Sequence, residues 1–115
     1  MFPEFEIIKL TEYLILLYLL KMRLLGVNHI EDFIKKHKDA NALKRWQKLI
    51  ESTDFKSMNE LRKTFSHADY VDGKTIFNIS GNKIRMITII TYGIHQVIIT
   101  DVLTHQEYDQ NKWKD

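Results

Sequence analysis

A chain of 115 residues with 44% hydrophobic and 28% charged side chains has the size and make-up of one globular domain, not of a disordered segment. It has no cysteine, which excludes disulfides, thiolate nucleophiles and cysteine zinc sites, and which fits a reducing compartment. The formal net charge of +2 is too small a bias to name a partner.

In chain order, FEIIKLTEYLILLYLLK comes first and is strongly apolar, with an unbroken run from Tyr13 to Leu20. That run is far shorter than the ~20 residues a bilayer-spanning helix needs. It also lacks the positive start and small-residue end of a secretory signal. Residues 1–21 therefore read as an extension: an added helix packed on the body or holding another chain, or the product of an upstream start codon. Met22 begins a plausible domain by itself, residues 22–115.

RLLGV, residues 23–27, is a candidate first strand, and Asn28 can cap the helix after it. Ile30, Phe33, Ile34 and His37 recur at helical spacing, with Lys35, Lys36 and Lys38 facing away. A second helix is expected to start at Asp39. Its stripe is Leu43, Trp46, Leu49 and Ile50, and Lys44, Arg45 and Lys48 make its other face basic. Ser57 opens a short helix, with Glu60 placed as in a capping box.

After Phe65 the period changes. Asp72-Gly73 is a two-residue hairpin signal. TIFNIS, KIRMITIITY and HQVIITDVL read as strands, separated by turns at Ser80-Gly81-Asn82 and Tyr92-Gly93. Strands joined by tight turns must be antiparallel. Helices grouped before strands predict an α+β fold. The helices pack on one face of a twisted antiparallel sheet of three to four strands, and the other face is left free to be concave and polar.

Alternation along KIRMITII places Lys83 and Arg85 on one face, where two cations repel unless they are solvated or hold an anion. A solvated strand end, with Asp101 or Asp109 as salt-bridge partner, is the simpler account. His105 and Tyr108 are three residues apart and meet if THQEYD forms a helical turn, which Thr104 and Glu107 can cap. His29, His67 and His95 are most simply surface histidines, and Trp46 is most simply core. Trp113 lies in a polar tail and has no evident role. Histidine and carboxylate spacings match no standard metal pattern, so neither metal nor cofactor is expected.

TIFNISGNKIRMITIITY followed by QVIITDVLTHQEYDQNKW closely resembles the HigB family of bacterial type II toxins, within the RelE-like superfamily. The residues that carry the resemblance are Phe77-Asn78, Gly81-Asn82, Arg85 and Thr104-His105-Gln106-Glu107-Tyr108-Asp109. It extends from about Met22 to Trp113. It implies a cytoplasmic mRNA interferase that cuts RNA on the ribosome. It also implies a HigA-like, helix-turn-helix antitoxin, with operator DNA reached only through the toxin–antitoxin complex, and no membrane partner.

The residues suit metal-free cleavage by a ribose 2′-OH. Histidine titrates near neutrality, so His105 can move a proton. Two cations beside it would disfavour its charged form and suit it to act as a base. Arg85 can hold two phosphate oxygens in its planar fork. Tyr108 can stack on a base or orient a proton. Lys83, Asn82, Asn78 and Asp109 are expected to hold substrate, with Lys83 as phosphate anchor or general acid. The basic faces at Lys35, Lys36, Lys44, Arg45 and Lys48 could meet rRNA phosphates. The competing reading is a RelE-like module that binds RNA or protein without cleaving.

Overall fold

The computed structural model describes residues 4–19, 21–38, 40–81 and 83–114. Asp39, expected to begin a helix, and Asn82, expected to hold substrate, lie outside the described residues. The elements are α1 (Glu4–Leu19), β1 (Arg23–Leu25), α2 (Asn28–His37), α3 (Ala40–Ser52), α4 (Met58–Thr64), β2 (Asp69–Val71), β3 (Lys74–Ile79), β4 (Ile84–Thr91), β5 (Gln96–Thr104) and α5 (His105–Asp109). Single 3₁₀ turns follow β4 and close the described residues.

Apolar periodicity sets which side of each helix is buried. Ile30 and Phe33 of α2, Leu43, Trp46 and Ile50 of α3, and Leu61 of α4 meet Phe77, Ile79, Ile84, Met86, Val97 and Ile99 of the sheet. Each such side chain contributes about 1.5–3 kcal/mol on full burial. Leu49 departs from the expected stripe and is 43% exposed, because it sits at the margin of α3's buried face. Caps follow the sequence less uniformly. Ser57 accepts from Glu60 N at the start of α4, as expected. Asn28 does not cap α2; it is the first helical residue, and Val27 occupies the cap without a side-chain bond.

The α+β class holds, and the strand count is corrected. The sheet has five strands in the order β1-β5-β4-β3-β2 and is mixed. The extra strand, β2, is three residues long and mostly exposed, so alternation gives it no signal. Asp72 and Gly73 both take positive φ, 50° and 81°, as a two-residue hairpin of type I′ requires. β1 pairs in parallel with β5, Leu24 opposite Val97. The chain between them, α2 to α4 and then β2 to β4, supplies the long connection that a parallel pair needs. Gly26 makes this closure possible: its φ is +84°, and a Cβ there would lie 2.3 Å from the Ile99 carbonyl oxygen.

The face away from the helices is not left open as expected. Ile76, Ile87 and Trp113 are buried there, with Val71, Leu103 and Tyr108 packed around them. The C-terminal segment folds back over this face. Leu10, Tyr13, Leu14, Ile15 and Leu16 of α1 are each more than half exposed, so the body does not cover these side chains. Among the described residues no helix is long and apolar enough to cross a membrane.

Candidate functional site

Cross-strand register builds the site. Asn78 on β3 lies directly opposite Arg85 on β4, and Arg85 lies opposite Leu103 on β5. Directly paired residues share a face, so the three form a row on the face away from the helices. Ile76 and Ile87 make the next row and form the apolar floor.

Arg85 is 9% exposed, far from the solvated strand end that the sequence suggested. Its guanidinium carbon is 5.4 Å from the centroid of the Tyr108 ring, a cation–π distance. Tyr108 stacks on Trp113, with centroids 4.9 Å apart and planes 13° from parallel. The Trp113 indole N–H donates to the Tyr108 carbonyl at 3.0 Å. Lys74 donates its ammonium to the Trp113 carbonyl. Trp113 thus fixes Tyr108 over Arg85, a role the tail sequence did not reveal. The available signal was the cost of leaving one large aromatic in solvent among polar neighbours.

Helix α5 is one short turn held at several points. Thr104 and Glu107 form the expected capping box: Glu107 N donates to Thr104 Oγ1 at 3.2 Å, and Thr104 N donates to Glu107 Oε1 at 3.0 Å. The Thr104 backbone bond holds the Glu107 carboxyl below its ordinary value, against partial desolvation, with help from the Thr104 hydroxyl, Lys36 and His37. His105 N donates to the Lys83 carbonyl at 3.1 Å, which joins α5 to the turn before β4.

The His105 side chain is exposed, and its Nε2 lies 3.4 Å from Asp109 Oδ2 one turn on. Its partner is therefore a carboxylate, whereas the sequence suggested an environment of cations and contact with Tyr108. Lys83 is exposed on the turn before β4 and does not share Arg85's burial. Burial holds the Tyr108 hydroxyl above the usual phenol value; the Arg85 charge opposes this, and Asp69 and Asp109 add to it. Tyr108 is accordingly a neutral hydroxyl near neutral pH and can donate a hydrogen bond. Asp69, on the short strand β2, is a neighbour that the sequence did not point to.

The arrangement brings Arg85, Asn78 and Tyr108 together on one face, with Lys83, His105 and Asp109 at the adjoining end of the sheet. A fixed cation, a neutral hydroxyl and an imidazole–carboxylate pair can bind a phosphodiester and move protons around it. His95 is not part of this group and is not simply on the surface. Its Nδ1 lies 2.6 Å from Asp54 Oδ1, at the opposite end of β5 from His105. Among the described residues no three His, Cys, Asp or Glu side chains are grouped to hold a metal ion.

Residues 39–111 match the family model for the HigB toxin, described as a RelE-like toxic component of a toxin-antitoxin system. The mRNA interferase toxin HigB of Escherichia coli strain K12 is 33% identical over 58 residues, 48% of this chain and 56% of that protein. The mRNA interferase HigB of Escherichia coli O6:H1 is 27% identical over 93 residues, 77% of this chain and 90% of that protein. An mRNA interferase HigB of Shigella flexneri is 33% identical over 58 residues, with 56% of its length covered. The chain thus spans just over half the length of several of the relatives it matches.

Proposed function

The chain belongs to the HigB toxin family, the RelE-like toxic component of a toxin-antitoxin system, and from that premise we propose that it is a metal-independent endoribonuclease that cleaves mRNA and thereby arrests translation. The observation that carries the reading is the row at Arg85: a nearly buried guanidinium held by an aromatic neighbour and opposed directly by Asn78. A guanidinium already fixed by its surroundings can take two phosphate oxygens in its planar fork at little further ordering cost.

In the proposed reaction the ribose 2′-oxygen attacks the adjacent phosphorus and loses its proton. The bond from phosphorus to the 5′-oxygen breaks, and that oxygen gains a proton. The products are a 2′,3′-cyclic phosphate and a 5′-hydroxyl. Arg85 binds two nonbridging oxygens and stays charged throughout. His105 transfers a proton, with its ring oriented by Asp109. The Tyr108 ring is already engaged by Trp113 and Arg85, so its hydroxyl, not its face, is the group offered to substrate. Lys83 and Asn78 hold the flanking phosphate and sugar, and Asn82 joins them.

The mRNA is presented in the ribosome, where Lys35, Lys36, Lys44 and Lys48 meet rRNA phosphates. A HigA-like antitoxin with a helix-turn-helix domain neutralises the toxin and carries the complex to operator DNA.

The test is induction of the parent, Arg85→Ala and His105→Ala in cells, with cleavage ends mapped by primer extension. The parent arrests growth and cuts mRNA. Loss of the His105 proton transfer costs typically about 10²–10⁴-fold and loss of the Arg85 donor about 10²–10³-fold, so both variants are silent and still bind antitoxin. Growth arrest by both variants, as strong as the parent's, overturns this site. A soluble parent that binds antitoxin but leaves RNA intact supports the non-cleaving module instead.

A further inference from the structure

A cavity of about 380 Å³ lies between α3, the loop joining α4 to β2, and the last residues of β3. Its apolar lining includes Trp46, Phe65 and Phe77, and its polar lining includes Arg45, His67 and Asn78. The aromatic rings stand edge to face: Trp46 and Phe77 have centroids 5.2 Å apart, and Phe65 and Phe77 5.1 Å apart. Trp46 is 3% exposed, and its Nε1 is buried without a hydrogen-bond partner among the described residues. A buried, unsatisfied donor is uncommon in a native fold and calls for an explanation.

The position of the cavity relates it to the Arg85 row. β2 pairs with β3 only along Lys74, Thr75 and Ile76, so the outer edge of Phe77–Ile79 has no described strand beside it. Asn78 belongs both to the row opposite Arg85 and to the cavity wall. Its amide reaches the His67 carbonyl at 3.5 Å. Arg85 and Asn78 are separated by one strand spacing, ~4.5–5.5 Å between directly opposed residues. The Arg85 row and the cavity lie on opposite faces of β3 and adjoin only at this free edge, around which a single strand held at Arg85 would pass.

We propose that this cavity is a nucleobase subsite, which takes one unstacked base flanking the cleaved bond and reads its edge through Arg45 and His67. The inference rests on the chain acting on RNA. Its chemistry is that of single-stranded RNA recognition, in which a splayed base lies against aromatic side chains while polar groups contact its edge. A volume near the lower end of the small-molecule range admits one base and not a stretch of duplex.

The experiment is an NMR titration of the full chain with each of the four nucleoside 5′-monophosphates, following the indole N–H resonances. Trp113→Phe assigns the Trp46 signal. At least one nucleotide is expected to shift the Trp46 signal saturably, whereas ribose 5-phosphate does not. His67→Ala, at an exposed position, and Arg45→Ala should each weaken that binding about fivefold, the effect of losing one hydrogen bond. An unmoved Trp46 signal with all four nucleotides at about 10 mM, well above the range of specific weak binding, overturns the inference. So does an equal shift with ribose 5-phosphate, which would mean phosphate binding alone. The two readings fail separately: RNA cleavage that depends on Arg85 with a silent Trp46 signal removes only the subsite. A responsive Trp46 signal without any cleavage removes only the nuclease.

Discussion

Arg85 lies beneath Tyr108, with 5.4 Å between the guanidinium carbon and the ring centroid, and Tyr108 in turn is stacked on Trp113. The cation is therefore positioned by an aromatic pair that reaches it from the far end of the chain. Arg85→Lys keeps a charge but loses the planar fork and its fit against the ring. Cleavage by Arg85→Lys is expected to fall by about 10²–10³-fold, as for loss of one transition-state donor. A single-turnover assay on ribosome-bound mRNA, paired with a melting curve to confirm folding, checks this.

Trp113 is expected to matter for stability before it matters for chemistry. It is buried with Ile76 and Ile87 and donates to Tyr108. Trp113→Ala removes a large buried ring and should cost about 3–5 kcal/mol. Trp113→Phe keeps a stacking surface and should cost less. Tyr108→Phe retains the stack, so its stability should stay within about 0.5–1.5 kcal/mol of the parent while cleavage drops. Urea denaturation separates the three. A Tyr108→Phe variant that cleaves at the parental rate would show that the hydroxyl has no part in the reaction.

The Glu107 carboxyl has a depressed folded-state value, chiefly through its bond from Thr104 N. A depressed carboxyl contributes stability that is fully present above its unfolded value and is lost as pH falls through the folded one. Stability of the parent should therefore decline below the ordinary carboxylate range in part through this group. Glu107→Gln should flatten that part of the decline. Thr104→Ala, which removes the cap hydroxyl, should cost about 1 kcal/mol at neutral pH. Melting temperatures from neutral to acid pH measure both effects.

Gly26→Ala should be among the most damaging single changes in the chain. The new Cβ would meet the backbone oxygen of Ile99 at 2.3 Å, and the residue's φ is +84°. Neither β5 nor the Gly26 turn can move without breaking the β1–β5 pairing. A loss of about 3 kcal/mol or more is expected from the clash together with backbone strain. Retention of parental stability in denaturant would mean that β1 is not held against β5 in this register.

Local chemistry made much of this legible. The Asp72-Gly73 turn, the Ser57 cap and the Thr104–Glu107 box depend on neighbours within a few residues, and each formed. The buried stripes of α2 and α3 followed from period alone, apart from Leu49 and His37, which are exposed. What stayed hidden was non-local. β1 finds β5 only after three helices and three other strands, and Trp113 finds Arg85's neighbour only after the sheet is built. His95 reads as a surface residue until Asp54, distant in sequence, is brought against it. At the site, alternation put Lys83 and Arg85 on one face, and the motif named Asn78 as a substrate residue. They did not give Arg85's burial or the Asp109 partner of His105.

One irregularity in the sheet has a wider effect than its size suggests. Ile87 faces Asp101 and Thr88 faces Ile99, so Thr100 is skipped in the ladder. Before that residue, Val97 and Ile99 point to the helices; after it, Val102 does, while Leu103 points to the far side. If Thr100 were paired into the ladder, alternation would run through all nine residues and everything after it would emerge inverted; the bulge absorbs that shift. Deleting Thr100 would thus merely straighten β5, whereas adding a second residue there without a bulge to hold it would aim the terminal turn at the wrong half of the molecule.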